Sequence, residues 1–185
     1  RISNLRTLYR LGVRSVGLTW NHRNLLADGV MDGVSGGGLS EWGREVIHEM
    51  NRLGMIVDLA HISPAGFWSV LQATNKPVIV SHANALAICP HPRNLRDEQL
   101  LAIAKNGGLV GLTFVPDFVA DHEASLEILV EHIRHMIRIM GEEHVALGSD
   151  FDGTETTVIS DVSAYPLLPA ALEKHGLNAG EIERL

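Results

Sequence analysis

Short apolar, β-branched runs alternate along the chain with longer segments of helical period. The stretches Val13 to Trp20, Met55 to Ala60, Lys76 to Val80, Gly108 to Phe114 and Val145 to Gly148 read as buried strands. Their apolar residues follow one another without the in–out alternation of a half-solvated sheet. Between them, Trp42, Val46, Ile47, Met50 and Leu53 form one helical stripe, started near Ser40 and stopped at Gly54. Ser63-Pro64 is an N-cap followed by proline at the first helical position, leading into Phe67, Val70 and Leu71. Leu126, Leu129, Ile133, Met136, Ile137 and Met140 repeat at helical spacing until Gly141.

Strands that alternate with helices pair in parallel through right-handed crossovers. Two architectures satisfy that rhythm, a doubly wound open sheet and a (β/α)8 barrel. The glycine-rich stretch Gly33 to Gly38 lacks the G-x-G-x-x-G order and the strand-to-helix setting of a dinucleotide fingerprint, so it reads as a flexible loop. No linker or low-complexity tail interrupts the pattern, and residues 1–185 read as a single domain.

Composition narrows the function classes. Hydrophobic residues make up 45% and charged residues 20% of 185, the balance of a globular protein. No apolar run approaches the roughly 20 residues that cross a bilayer. Residues Arg1 to Arg6 do not open a signal peptide. A net charge of −7 with scattered cations argues against a nucleic-acid surface. Cys89 is alone, which excludes an internal disulfide and fits a small buried residue in a reducing compartment. With no export signal in view, the expected location is cytoplasmic. Ten histidines turn attention to metal chemistry.

The positions of the polar residues carry the functional argument. The strand Met55 to Ala60 runs into His61, the strand Val78 to Val80 into Ser81-His82, and the strand Val145 to Gly148 into Ser149-Asp150. In a β/α barrel every strand C-terminus opens on one face, where catalytic groups gather. Two imidazoles and a carboxylate brought to that face suit zinc or a similar divalent ion. Such an ion activates water, and a nearby carboxylate can pass a proton to a leaving amine. Taken singly, each residue has a plain structural reading: a satisfied histidine after a strand, or an aspartate capping a turn.

Other residues are less decisive. Arg93, soon after His82, is shaped for a bidentate grip on a substrate carboxylate; the alternative is a surface arginine paired with Asp97 or water. Asp58 either orients a ligand or is structural. His132 and His135 lie one turn apart beside Glu131, and their helix is expected to place them toward its solvated side rather than on a metal. His48, His122, His144 and His175 read as surface residues.

At these motifs the sequence resembles the membrane dipeptidase family, peptidase family M19, among the metallo-dependent hydrolases. The matching blocks run nearly end to end: Leu8 to Arg14, Leu39 to Gly43, Met50 to Gly54, Val57 to His61, Pro77 to His82, Pro92 to Asn94 and Gly148 to Gly153. The resemblance implies a (β/α)8 TIM barrel with a binuclear zinc site, hydrolysing dipeptides by a metal-bound hydroxide, with tolerance for a C-terminal D-residue. By position it implies His61 and His82 as ligands of the second zinc, Arg93 as the grip on the substrate carboxylate and Asp150 as the proton carrier. Family habit adds a homodimer and a small peptide as the partners.

Two departures accompany the resemblance. The family's first zinc is held by a His-x-Asp pair on the first strand and a bridging glutamate, which belong upstream of Arg1. The expectation is therefore a fragment, an incomplete barrel lacking its early strands, with the first-site ligands absent. Vertebrate relatives also carry a substrate-polarising histidine where Trp20 stands, while Trp-Asn resembles bacterial members. His22 is the candidate to act in its place, against the reading of a plain loop histidine. Rival functions are another amidohydrolase acting on N-acyl amino acids or lactams, and a catalytically decayed binding protein.

Overall fold

Serine caps start two of the three helices of the N-terminal half, and a glycine stops one of them. In this computed structural model, which describes residues 1–185, helix α1 (Ile2–Arg10) precedes strand β1 (Ser15–Gly17). A 3-10 segment (Val30–Ser35) leads to helix α2 (Glu41–Leu53), strand β2 (Ile56–Asp58), helix α3 (Pro64–Ala73) and strand β3 (Ile79–Val80). Ser40 Oγ accepts from Gly43 N–H at 3.0 Å to start α2, and Gly54, at φ 73°, ends it in the left-handed conformation that glycine adopts without a Cβ clash. Ser63 Oγ accepts from Gly66 N–H at 3.0 Å to start α3, with Pro64 in its first turn. Strands β1 and β2 pair in parallel with Val16 beside Val57, and Asp58 pairs with Ile79 of β3. These elements form one compact unit, Arg1–Val80, packed around Ile47, Met50, Val57, Phe67 and Val70.

The second unit, Ser81–Leu185, holds helix α4 (Asp97–Lys105), strand β4 (Leu109–Leu112), the short helix α5 (Pro116–Val119), helix α6 (Leu126–Met140) and strand β5 (Val145–Leu147). A 3-10 segment and helices α7 (Leu168–Lys174) and α8 (Ala179–Arg184) complete it. Strands β4 and β5 pair in parallel through Val110–Val145, Gly111–Ala146 and Leu112–Leu147. Leu100, Ile103, Leu112, Phe114, Ile133 and Met136 are fully buried there. No helix is long and apolar enough to cross a membrane.

All five expected strands form, each shorter than its apolar run. The ladder stops where backbone groups find other partners. Met55 N–H bonds back to Met50 O at the end of α2, and Ala60 N–H is taken by the Asp58 carboxylate at 2.9 Å. The glycine-rich stretch is held rather than loose: buried Asp28 accepts from Gly37 N–H at 3.1 Å and Gly38 N–H at 3.2 Å and pairs with Arg23 and Ser35. The Arg23 and Ser35 hydrogen bonds hold the Asp28 carboxyl down at about 2.

Two histidines depart from expectation. His132 is fully buried and His135 nearly so, not on the solvated side of α6. His132 Nδ1 accepts from Ala85 N–H at 3.1 Å and its Nε2–H donates to Val119 O at 2.9 Å. His135 Nε2 lies 2.7 Å from an Asp97 carboxylate oxygen. Hydrogen-bonding both ring nitrogens removes the penalty that would otherwise keep an imidazole out of a core. His144 is half-buried, with Nδ1 2.7 Å from Gly108 O, whereas His48 and His122 are exposed as expected.

Candidate active site at the strand ends

Strand β2 ends at Asp58, and three residues later His61 takes φ 67°. The loop that follows β1 holds it from two sides. Its carbonyl accepts from Val30 N–H at 2.8 Å and from the Thr19 hydroxyl at 3.3 Å. Its ring Nδ1 lies 2.8 Å from Asn21 Oδ1, and the Trp20 ring sits 6.2 Å away between centroids, tilted by 48°. Trp20 is 72% exposed. His22, next along the same loop, points to solvent, its Nδ1 3.6 Å from an Asp32 oxygen. Thus the loop places Trp20 and Asn21 against His61, and His22 against Asp32.

In the second unit, Ser81 Oγ lies 2.8 Å from His82 Nδ1, and His82 Nε2 stands 3.9 Å from an Asp150 carboxylate oxygen. Both side chains are mostly covered. The backbone explains how they meet. Gly111 of β4 and Gly148 after β5 both press on the Ser81 carbonyl, and a Cβ at either would overlap that oxygen. Ala83 N–H donates to Gly111 O at 2.9 Å, fixing the segment alongside β4. Asp150 then takes φ 64°, and Gly153 leaves room for its carboxylate, which a Cβ there would strike. Phe151 packs on Phe114 and Tyr165, with centroids 5.7 and 5.9 Å away.

His61 and Asp150 are the only non-glycine residues with positive φ in the chain. Histidine and aspartate are among the residues that enter this region most readily. Such backbone outliers gather at functional sites, where the surrounding structure over-determines them. Both fall at strand ends that the sequence singles out.

Arg93 is buried, at 7% exposure, so the surface-arginine reading fails; Asp97 pairs with His135 instead. The Arg93 guanidinium donates to His82 O at 3.3 Å and lies 5.4 Å from the centre of the Phe118 ring. Its loop is pinned by Asn94, whose amide donates to Cys89 O at 2.9 Å and Phe118 O at 2.8 Å and accepts from Asn84 N–H at 3.1 Å. Burial, reinforced by the Arg93 charge, lowers the His91 pKa, so that ring stays neutral and accepts from Arg93 N–H at 3.2 Å.

These donors fit a divalent metal. A ligating imidazole usually binds its ring hydrogen-bond partner through one nitrogen and the ion through the other. Asn21 and Ser81 engage Nδ1 of His61 and His82, so in each ring Nε2 is the nitrogen on the side away from that partner. No three His, Cys, Asp or Glu side chains of the chain are grouped to hold an ion unaided. Sequence reasoning names Ser81 and Asn21 but gives neither a role. The Ser81 contact is with the adjoining His82, whereas Asn21 reaches His61 across 40 residues, a contact that no local pattern marks.

Comparison with known proteins bears on this geometry. The profile of membrane dipeptidase (peptidase family M19) matches residues 1–185. A protein of the pqqA 5′ region of Klebsiella pneumoniae is 38% identical over 98% of this chain and 71% of its own length. Dipeptidase verJ of Clonostachys rogersoniana is 41% identical over 98% of this chain and 47% of its own length. A crystal structure of a metallo peptidase from Rhodobacter sphaeroides, liganded with a phosphinate mimic of the dipeptide L-Ala-D-Ala, superposes with a TM-score of 0.91 at 36% identity. It is matched over 98% of this chain and 55% of its own. This chain therefore spans about half the length of two of these relatives and more of the third.

Proposed function

This chain belongs to the membrane dipeptidase family, peptidase family M19, and we propose that its protein hydrolyses dipeptides at a zinc centre, binuclear when complete. Its fold class is that of the family, an α/β fold of the β/α-barrel type, of which this chain carries part. We assign His61 and His82 as metal ligands through Nε2, Asp150 as the proton carrier and Arg93 as the grip on the substrate's terminal carboxylate. His22, exposed in the loop after β1, is the proposed substrate-side contact.

When bound, the metal would supply a Lewis acid for the scissile carbonyl and would bring the pKa of a water down to about 7. The residues supply the rest. Asp150 accepts the proton of the attacking water and returns it to the leaving amine, which needs a carboxylate within hydrogen-bond reach of both. Arg93 is charged at any working pH, and its planar fork matches a carboxylate in two hydrogen bonds. Burial at 7% exposure strengthens that grip relative to a solvated one. The Rhodobacter sphaeroides protein was solved with a mimic of a dipeptide ending in D-Ala; by likeness, we extend acceptance of a C-terminal D-residue to this protein.

The observation that carries the reading is the approach of His82 Nε2 to Asp150 at 3.9 Å, His82 standing two residues past β3 and Asp150 three residues past β5. In the full-length protein, His61→Ala and His82→Ala should each lower bound zinc and dipeptide turnover together. Asp150→Asn should keep its zinc and lose at least about 100-fold in kcat, the lower range for a general acid–base group. Elemental analysis beside an L-Ala-D-Ala hydrolysis assay checks all three. Unchanged zinc and turnover in both histidine variants would reject the assignment.

A further inference from the structure

We infer that Asn21 is the positioning residue that sets the tautomer and orientation of His61 for metal binding, an inference that rests on His61 being a ligand as proposed above. The side-chain oxygen of Asn21 stands 2.8 Å from His61 Nδ1. An amide oxygen only accepts, so the ring must donate from Nδ1 and present Nε2 as its lone-pair nitrogen. That tautomer is the one a ligand needs when Nε2 is the coordinating atom.

The loop is constructed to hold Asn21 in place. Met31 N–H donates to Asn21 O at 2.9 Å, and Gly29 passes so close to the Asn21 carbonyl that a Cβ there would overlap it. One residue on, Val30 N–H holds the His61 carbonyl at 2.8 Å. The same turn therefore fixes both the backbone of His61, in its left-handed conformation, and the partner of its ring. Buried Asp28, tied to Gly37 and Gly38, anchors the turn one residue before Gly29. The Trp20 ring lies 6.2 Å from that of His61 between centroids, tilted by 48°.

The test is zinc affinity by competition with a chromophoric chelator on the full-length protein, with Asn21→Leu, Asn21→Asp and His61→Ala made in parallel. Losing such a second partner of a ligating histidine typically weakens metal binding 10–100-fold. Asn21→Leu should fall in that range while the melting temperature of the metal-free protein stays near that of the parent. Asn21→Asp keeps an acceptor oxygen at the same reach, so it should restore affinity to the parent value or tighter. Parent-like affinity in Asn21→Leu, with His61→Ala defective, would overturn the role of Asn21 and leave His61 a ligand. Failure of Asn21→Asp to recover would equally overturn it, since a residue needed only for loop packing gives no preference for an acceptor. Parent-like affinity in His61→Ala would overturn the ligand assignment and this inference with it.

Discussion

At His132 burial and hydrogen bonding act on one imidazole. Burial pushes its pKa down to about 4, and the ring stays neutral with Ala85 N–H on one nitrogen and Val119 O on the other. An unfolded chain titrates this group near 6.5. Between those values the unfolded state binds the proton more readily. The stabilisation is therefore complete above about pH 6.5 and is lost as pH falls toward 4, by up to about 1.4 kcal/mol per pH unit. His132→Leu should flatten that part of the stability profile. It should also cost a few kcal/mol at neutral pH, because a buried N–H and a buried carbonyl each lose a partner worth about 1–3 kcal/mol. Urea unfolding at pH 7 and pH 4.5 measures both effects, and an unchanged slope would contradict the buried neutral imidazole. The sequence could not have shown this. A histidine on an amphipathic helix reads as polar and solvated, and the partners that reverse that reading lie 47 and 13 residues away. Arg93 shows the same limit: its place after His82 was legible, its burial against Phe118 was not.

At the scale of elements, the strand ends depend on two glycines more than on any side chain. Gly111 and Gly148 let the Ser81 carbonyl approach β4 and the end of β5, and His82 follows directly. A backbone oxygen cannot move aside as a side chain can, so a methyl group here acts as overpacking, which costs about 1–3 kcal/mol and occasionally more. Gly148→Ala should lose at least about 2 kcal/mol and lower zinc affinity with it. Gly17→Ala is the matched control. Its Cβ would meet only Thr19 O at 3.9 Å and Asp58 O at 4.0 Å, ordinary contact distances, and its stability should stay within about 0.5 kcal/mol. Denaturation midpoints of the two variants decide the matter. Existence of these strands was legible, because Val78, Val80, Val110 and Leu112 fall in unbroken apolar runs and all four are buried. Their ends were not, since hydrogen bonds such as Met55 to Met50 are settled by neighbouring caps rather than by hydropathy. Helices α1 and α4 lack an Ser, Thr, Asp or Asn N-cap, Arg1 and Arg96 standing there instead, and so gave no start signal.

At the scale of the whole molecule, the alternation of strands and helices and the residues at strand ends point to a metal-dependent β/α hydrolase, which agrees with the chain-long match to peptidase family M19. That agreement makes the metal a thermodynamic matter as well as a catalytic one. An ion that binds the native state and not the unfolded chain stabilises the fold by RT ln(1 + [L]/Kd), about 2.7 kcal/mol at a hundredfold excess over Kd. Each further tenfold rise in free zinc adds about 1.4 kcal/mol. Metal-free full-length protein should therefore unfold at higher temperature as zinc is added, and the rise should continue past saturation of activity. The variants then separate the assigned roles. His61→Ala and His82→Ala remove donors and should lose most of the zinc-dependent rise. Asp150→Asn should retain it while remaining inactive, because that carboxylate, 3.9 Å from His82 Nε2, is assigned to the proton and not to the ion. Calorimetric melts across a buffered zinc series distinguish the cases. A rise abolished by Asp150→Asn would make Asp150 a metal ligand and pass its proton to another carboxylate.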